Sequence, residues 1–209
     1  SNIRLISIFS DEWLQKEYLV KTKLLHILNS SVNEKIYARK CSVEILSSKE
    51  RKTFLQQYHL QGDGRGSITI SLKHKGDIVA VMTFIKRDNV VYELNRYATK
   101  YTVIGGFSKL LSYFKNNYNW KKIITFADLR WHNGEVYERS GFICDKELIE
   151  DYEYIVDKKR IHKFNFRKKN IKKLYPLEYD NSLSEKELME KLNIPRIYDC
   201  GKLRFILEN

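Results

Sequence analysis

Val90-Val91-Tyr92-Glu93-Leu94, a polar turn, and then Thr102-Val103-Ile104-Gly105-Gly106-Phe107-Ser108-Lys109-Leu110-Leu111 form the stretch on which the fold turns. The first run has the composition of a strand. Phe107, Leu110, Leu111 and Phe114 then recur at helical spacing. A second buried-strand run, Ile123-Ile124-Thr125-Phe126-Ala127, ends in Asp128. Asn133-Gly134-Glu135-Val136-Tyr137-Glu138-Arg139-Ser140-Gly141-Phe142 closes the segment with a short helix. The order is strand, glycine loop, helix, strand, short helix. Paired glycines ahead of a helix leave backbone N–H groups turned toward an anion, and the helix dipole adds to the attraction. Ser108 is expected to cap the helix.

Upstream, Ile3 to Phe9 alternates weakly as a short strand. Ser10 or Asp11 starts a helix to about Leu28, with Leu14, Tyr18, Leu25 and Leu28 on one stripe, and Asn29-Ser30-Ser31 breaks it. A strand is expected from Ile36 to Leu46, then a helix to about Tyr58 with Ser47 and Glu50 at capping-box spacing. The loop from Tyr58 to Gly66 holds three glycines. Ser67–Leu72 reads as a half-exposed strand and Ile78–Phe84 as one buried on both faces. Downstream, Tyr152–Val156 and Ile161–Phe166 flank Asp157-Lys158-Lys159-Arg160 as a hairpin. A helix from Ser184 to Leu192 stops at Pro195, and Arg196–Asp199 with Lys202–Ile206 reads as a closing hairpin.

The expected class is α/β, a mixed and mostly antiparallel twisted sheet flanked by helices. Its parts are a strand-helix extension over 1–34, a main domain over 35–175, and a helix and hairpin over 176–209.

The 209 residues carry a net charge of +12. A basic surface attracts polyanions, of which nucleic acid is the commonest in a cytoplasm, although an AT-rich genome, which favours Lys and Asn codons, leaves the same lysine-rich mark. Residues 157–173 hold nine Lys or Arg against one Asp, interleaved with aromatics. That mixture suits a phosphate backbone and stacked bases, or a solvated hairpin whose aromatics face a core. No run of eighteen apolar residues exists, so no membrane partner is expected. Cys41, Cys144 and Cys200 lack metal-ligand spacing, no histidine pair has it, and no metal is assigned. They read as buried or neutral thiols of a reducing cytoplasm. The chain opens Ser1-Asn2-Ile3-Arg4 without Met, so a longer native chain is expected.

Two motifs resemble the GNAT acyltransferases. One is the strand-loop-helix with Val103-x-x-Gly106-x-Ser108; the other is Asn133-Gly134-Glu135-Val136-Tyr137-Glu138-Arg139-Ser140-Gly141-Phe142. The resemblance implies that Ile104, Gly105, Gly106, Ser108 and Lys109 line the pyrophosphate of acetyl-CoA or another acyl-CoA. It also places Tyr137 where a departing thiolate takes its proton. Val103 stands where the family has a polar residue, and Lys109 could compensate by reaching a phosphate.

A narrower resemblance runs through Ile6–Trp13, Tyr58–Gly62, Val103–Leu110, Ala127–Trp131 and Arg196–Gly201. These segments are similar to C-terminal regions of phage homing-endonuclease-like proteins and, in the acyltransferase-like part, to Mom-type DNA modification proteins. This implies DNA as a partner, an upstream nuclease domain ending within residues 1–34, and a bacterial cytoplasm as the location. It implies no nuclease activity of this chain alone.

Individual residues keep two readings each. Asp128 ends a buried strand as a general base, or caps its turn and pairs with Arg130. His59 faces the same cleft, or is a satisfied loop histidine. Tyr137 is a thiolate acid or core. Arg96 and Arg130 neutralise phosphate or pair with Glu93 and Asp128. Trp131 stacks a base or lines the cleft. Lys158, Lys159, Arg160, Lys163, Arg167, Lys168 and Lys169 form the basic face expected on duplex DNA. The leading expectation is a DNA-associated module; an active N-acyltransferase is the alternative.

Overall fold

A computed structural model describes residues 5–28, 30 and 34–209. In chain order the elements are α1 (Ser10–Ile27), β1 (Lys35–Tyr37), β2 (Ser42–Ile45), α2 (Ser48–Tyr58), β3 (Ile68–His74), β4 (Asp77–Lys86), β5 (Val91–Thr99) and β6 (Thr102–Ile104). They continue with α3 (Gly106–Asn117), β7 (Lys122–Asp128), α4 (Glu135–Glu138), β8 (Ile143–Leu148), β9 (Tyr152–Val156) and β10 (Lys159–His162). The last are α5 (Lys168–Leu174), α6 (Glu185–Lys191), β11 (Arg196–Tyr198) and β12 (Lys202–Glu208). Among the described residues, no helix is long and apolar enough to cross a membrane.

Seven strands form the main sheet in the order β2-β3-β4-β5-β7-β12-β8. Every neighbouring pair is antiparallel except β5 and β7. This is the α/β class and the mostly antiparallel sheet expected from the sequence. β4 is buried from Val79 to Phe84 because helices cover both its faces. Ala80, Met82 and Phe84 turn to α3, where Phe84 stacks on Phe114 at 3.8 Å. Val81 turns the other way, onto Phe54 and Leu55 of α2. The edge strand β8 escaped notice in the sequence because its side chains are exposed, and Asp145, Lys146 and Glu147 blunt that edge.

Several expectations are corrected. No strand forms over residues 5–9, and the rest of the Ile3–Phe9 strand lies outside the described residues, as do Asn29 and Ser31. α1 forms, but its stripe faces outward: Leu14, Tyr18, Leu25 and Leu28 are exposed, while Glu12 and Val20 are buried. The Ile36–Leu46 strand is broken into β1 and β2 by a 3-10 turn at Ala38–Lys40, whose ends Lys109 holds.

Nor do residues 196–206 close a hairpin. β12 is inserted between β7 and β8, whereas β11 joins β9 and β10 in a separate sheet. Residues 149–201 are thus an insertion between two strands of the main sheet. It has its own core of Tyr154, Phe166, Ile171, Leu188 and Met189. Its hairpin turns on Asp157 and Lys158, both at positive φ, as the polar tetrad there suggested. The expected strand to Phe166 stops at His162, and a 3-10 turn and α5 follow.

Candidate functional site

β5 and β7 run parallel, joined by α3, and pair only at Val91–Lys122, Tyr92–Ile123 and Glu93–Ile124. Beyond them the backbone ladder stops, and the last tie is a side chain. Thr125 Oγ1 donates to the Leu94 carbonyl at 3.0 Å. β5 then continues to Thr99 and β7 to Asp128 without pairing, so the two strands fork.

A bulge marks the same point. Across β4, Phe84 faces Leu94 but Thr83 faces Arg96, which leaves Asn95 without a partner. The extra residue reverses the alternation. Tyr97 thereby joins Tyr92 and Leu94 on the α3 face, and Arg96 shares the α2 face with its cross-strand partner Thr83.

The glycine loop lies on the α3 side. Gly105 takes φ 74° and is the N-cap of α3, so the expected cap at Ser108 is not used. Ser108 sits exposed in the first turn. The first bond closing the helix runs from Lys109 N–H to the Gly105 carbonyl at 3.0 Å. The N–H groups of Gly106, Phe107 and Ser108 precede it and have no partner within the helix. No acidic side chain lies in this turn. Gly106 is required by space, because a Cβ there would come within 2.8 Å of the Tyr97 hydroxyl and 2.9 Å of Val103. Gly105 is exposed, and a Cβ on it would meet only Ala38, at 3.9 Å. Ile104 is exposed beside it. Lys109 does not face a phosphate: its Nζ donates to the carbonyls of Ala38 at 3.0 Å and Cys41 at 2.6 Å.

At the root of the fork, Tyr137 is buried among Phe107, Phe142 and Phe205. Burial pushes its phenol up, with the Thr125 hydroxyl beside it drawing the other way. The group therefore keeps its proton at neutral pH. It is a donor and not a base.

No family model matches this chain, and no curated protein matches it. Solved structures do. A GNAT family acetyltransferase from Elizabethkingia anophelis with acetyl-CoA bound is 16% identical, over 81% of this chain and 99% of that one, with a TM-score of 0.42. A Bacillus subtilis acetyltransferase in complex with CoA is 14% identical over the same shares, with a TM-score of 0.45. Ard1 from Thermoplasma volcanium is 9% identical over 81% and 97%, with a TM-score of 0.47.

The tip of the fork departs from the catalytic reading. Of the two roles open to Asp128, pairing with Arg130 is the one formed, through Nη2 at 2.8 Å and Nε at 3.2 Å, and through the Arg130 N–H at 3.1 Å. Arg130 Nη1 holds both oxygens of Glu12 at 3.1 Å. Arg160 holds Asp11 at 2.8 Å and Glu12 at 3.0 Å, and Phe9 lies between the two guanidinium groups at 4.4 and 3.9 Å. Arg130 and Arg160 thus join α1 to the main sheet and the insertion. Neither is turned to a duplex.

His59 is likewise not a base. Burial first, then Arg96, Lys23 and Lys16, lowers it from 6.5 to about 3, so it is neutral near pH 7 and too weak to take a proton there. Its Nδ1 accepts the Gln61 N–H at 3.1 Å, which places the proton on Nε2.

The remaining basic candidates divide. Lys163 pairs with Asp151 at 2.5 Å, and Lys168 donates to the Asn181 carbonyl at 3.1 Å. Trp131 is buried beneath Lys23. Arg96 donates to Asn95 and Gly62. Lys158, Lys159, Arg167 and Lys169 are exposed, Arg167 over the Phe164 ring. Among the described residues, no cluster of His, Cys, Asp or Glu could hold a metal. Cys41 is buried, whereas Cys144 and Cys200 are exposed free thiols.

Sequence reasoning passed over Thr125, Asn95 and Thr83. Thr125 carried a signal, being the one hydroxyl in the apolar run 123–127. A bulge at Asn95 left none, since it is a property of the pairing with β4.

Proposed function

We propose that this chain is an N-acyltransferase that takes an acyl-coenzyme A donor. The observation that carries the reading is the fork between β5 and β7, with the free amides of Gly106, Phe107 and Ser108 at the start of the joining helix. Those amides and the dipole of a three-turn helix suit a pyrophosphate. When bound, the donor supplies an acyl thioester. Tyr137, proton-bearing and at the root of the fork, gives its proton to the sulfur as the carbon–sulfur bond breaks and the carbon–nitrogen bond forms. Asp128 and His59 leave no general base among the residues expected to serve as one, so the acceptor amine loses its proton to solvent. Calorimetric titration of acetyl-CoA tests the reading. Binding that Gly106→Val abolishes is expected, since the new side chain would strike Tyr97 and Val103. No binding by the native chain rejects it.

A second reading keeps duplex DNA as a partner. It is favoured by Lys158, Lys159, Arg167 and Lys169, which stand exposed on one insertion. Affinity for duplex should then fall steeply with salt, and Lys158→Ala with Lys159→Ala should flatten that slope. The reading is weaker than the first because Arg130, Arg160 and Lys163 are engaged by carboxylates of the chain itself.

A further inference from the structure

The α2 face of the fork collects two cations, Arg96 and Lys16, that form no direct ion pair among the described residues; Glu93 and Asp63 act on Arg96, and Glu12 on Lys16, only at a distance. Arg96 projects there, beneath the loop that carries Gly62 and Gly64. A Cβ on Gly64 would lie 2.8 Å from Asn95 Nδ2 and 3.4 Å from the Arg96 guanidinium. Arg96 uses Nη1 on the Asn95 carbonyl and side chain, at 2.8 and 2.9 Å, and directs Nε at the Gly62 carbonyl at 3.4 Å. Nη2 makes no hydrogen bond among the described residues. Lys16, at the kink of α1, reaches over the same loop and donates to the carbonyls of His59 at 3.0 Å and Leu60 at 2.8 Å. It has a third proton to give. His59 presents Nε2–H, and both Arg96 and Lys16 act on it electrostatically.

The acids nearby already have partners. Asp63 is held by two nitrogens of Arg51, Glu93 by Arg87, and Glu12 by Arg130 and Arg160. Beneath Arg96, on the same face, Thr83 Oγ1 is fully buried with no hydrogen-bond partner. Leaving a buried hydroxyl unpaired forfeits the hydrogen bonds that it makes in water. Half-buried cations that form no direct ion pair are costly in the same sense. Donors gathered around one loop and half-buried describe a site for a compact anion.

We propose that the acceptor is a small amine carrying a carboxylate or phosphate, and that Arg96, Lys16 and the Nε2–H of His59 hold this anion on the α2 face of the fork. The proposal rests on the acyltransferase reading for the word acceptor, and on the side chains alone for the anion. It places the two substrates on opposite faces of the sheet, the donor's pyrophosphate at α3 and the acceptor's anion at Arg96. Their reacting ends meet where the strands part.

Calorimetry on the full chain at low salt tests it with three probes: β-alanine, 2-aminoethyl phosphate and ethanolamine. At least one anionic amine should bind tenfold or more tighter than ethanolamine, and comparison of the two tells carboxylate from phosphate. In Arg96→Gln the preference should shrink to threefold or less while acetyl-CoA affinity is unchanged. Should Arg96→Gln not fold, Lys16→Gln at the half-buried end of the same cluster is expected to weaken anion binding at least threefold. Equal binding of all three probes, or a preference that survives the variant, overturns the proposal. So does a short duplex that binds tighter than either anion and loses affinity in the variant, since the site would then serve nucleic acid. Anion binding without acetyl-CoA binding removes the donor reading and leaves the anion site standing.

Discussion

The root and the tip of the β5–β7 fork are made of opposite materials. At the root, Thr125 and Tyr137 are neutral hydroxyls set among Phe107, Phe142 and Phe205. At the tip, Asp128, Arg130, Glu12, Arg160 and Asp11 form a chain of ion pairs around Phe9. Strand ends usually attract functional readings because loops there are exposed and carry polar residues. Here the polar residues at the tip satisfy one another. The few at the root keep a hydroxyl whose proton can be given away. Charge density and chemical availability are therefore inversely placed along one pair of strands.

The largest expected effect comes from breaking the tip. Arg130→Met takes from Asp128 its only ion-pair partner among the described residues and leaves buried Glu12 to Arg160 alone. Loss of one partner of a buried pair costs about 3–5 kcal/mol, and Arg160 keeps the effect toward the lower end. Urea unfolding should show a midpoint shift of that size. Asp128→Asn should cost less, because Arg130 retains Glu12, and turnover should stay within about threefold. If Asp128→Asn instead removed activity at native stability, the tip would be catalytic and the contrast reversed.

Tyr137→Phe is the matching change at the root. It keeps the ring in its aromatic cluster and removes only the acid. A general acid contributes about 10²–10⁴-fold, so a fall of about 10²-fold in kcat is expected, with acetyl-CoA affinity and stability near native. A variant with full turnover would leave Tyr137 as core. Because no base assists the amine, the native rate should climb with pH until the acceptor's own amine is deprotonated.

The same contrast explains what the sequence disclosed. The 3.6-residue stripe of α3 and the apolar runs of β4 and β7 follow from burial, and burial is written in side-chain type. Capping boxes at Ser47–Glu50 and Ser184–Glu187 are local and form as expected. What depends on strand order left no local mark. β12 enters the main sheet from beyond a 53-residue insertion, and its short apolar run resembles the arm of a hairpin. Asp128 and His59 were chemically suitable types in suitable places. Their disqualification comes from folding: Arg130 engages Asp128, while burial first, and then Arg96, Lys23 and Lys16, keep the proton off His59. The outward stripe of α1 shows the converse, where helical periodicity is present but the chain buries Glu12 and Val20 instead.

His59 offers a pH test on the acceptor side. Its pKa falls from 6.5 in the unfolded chain to about 3 in the folded one. Below pH 6.5 the unfolded state takes a proton that the folded state refuses, so its contribution is whole above pH 6.5 and is lost as pH falls toward 3. The slope is at most about 1.4 kcal/mol per pH unit. Replacing His59 with Gln should remove that portion of the slope between pH 6 and 4.5, measured by urea midpoints. A variant as acid-sensitive as the native protein would mean that burial and the cations around His59 do not exclude its proton.

The smallest effect is expected at Lys109, on the donor side. Its Nζ ties two carbonyls of the turn between β1 and β2 and does not extend toward the amides of α3. Lys109→Met should therefore cost about 1 kcal/mol of stability through the lost bonds. Acetyl-CoA affinity should change less than about threefold, with its salt dependence unaltered. A lysine that met the pyrophosphate would behave otherwise: affinity would drop tenfold or more and grow less sensitive to salt, with little change in the unfolding midpoint. The two observables move in opposite senses, so one variant separates a strut in the scaffold from a ligand contact a few ångströms away.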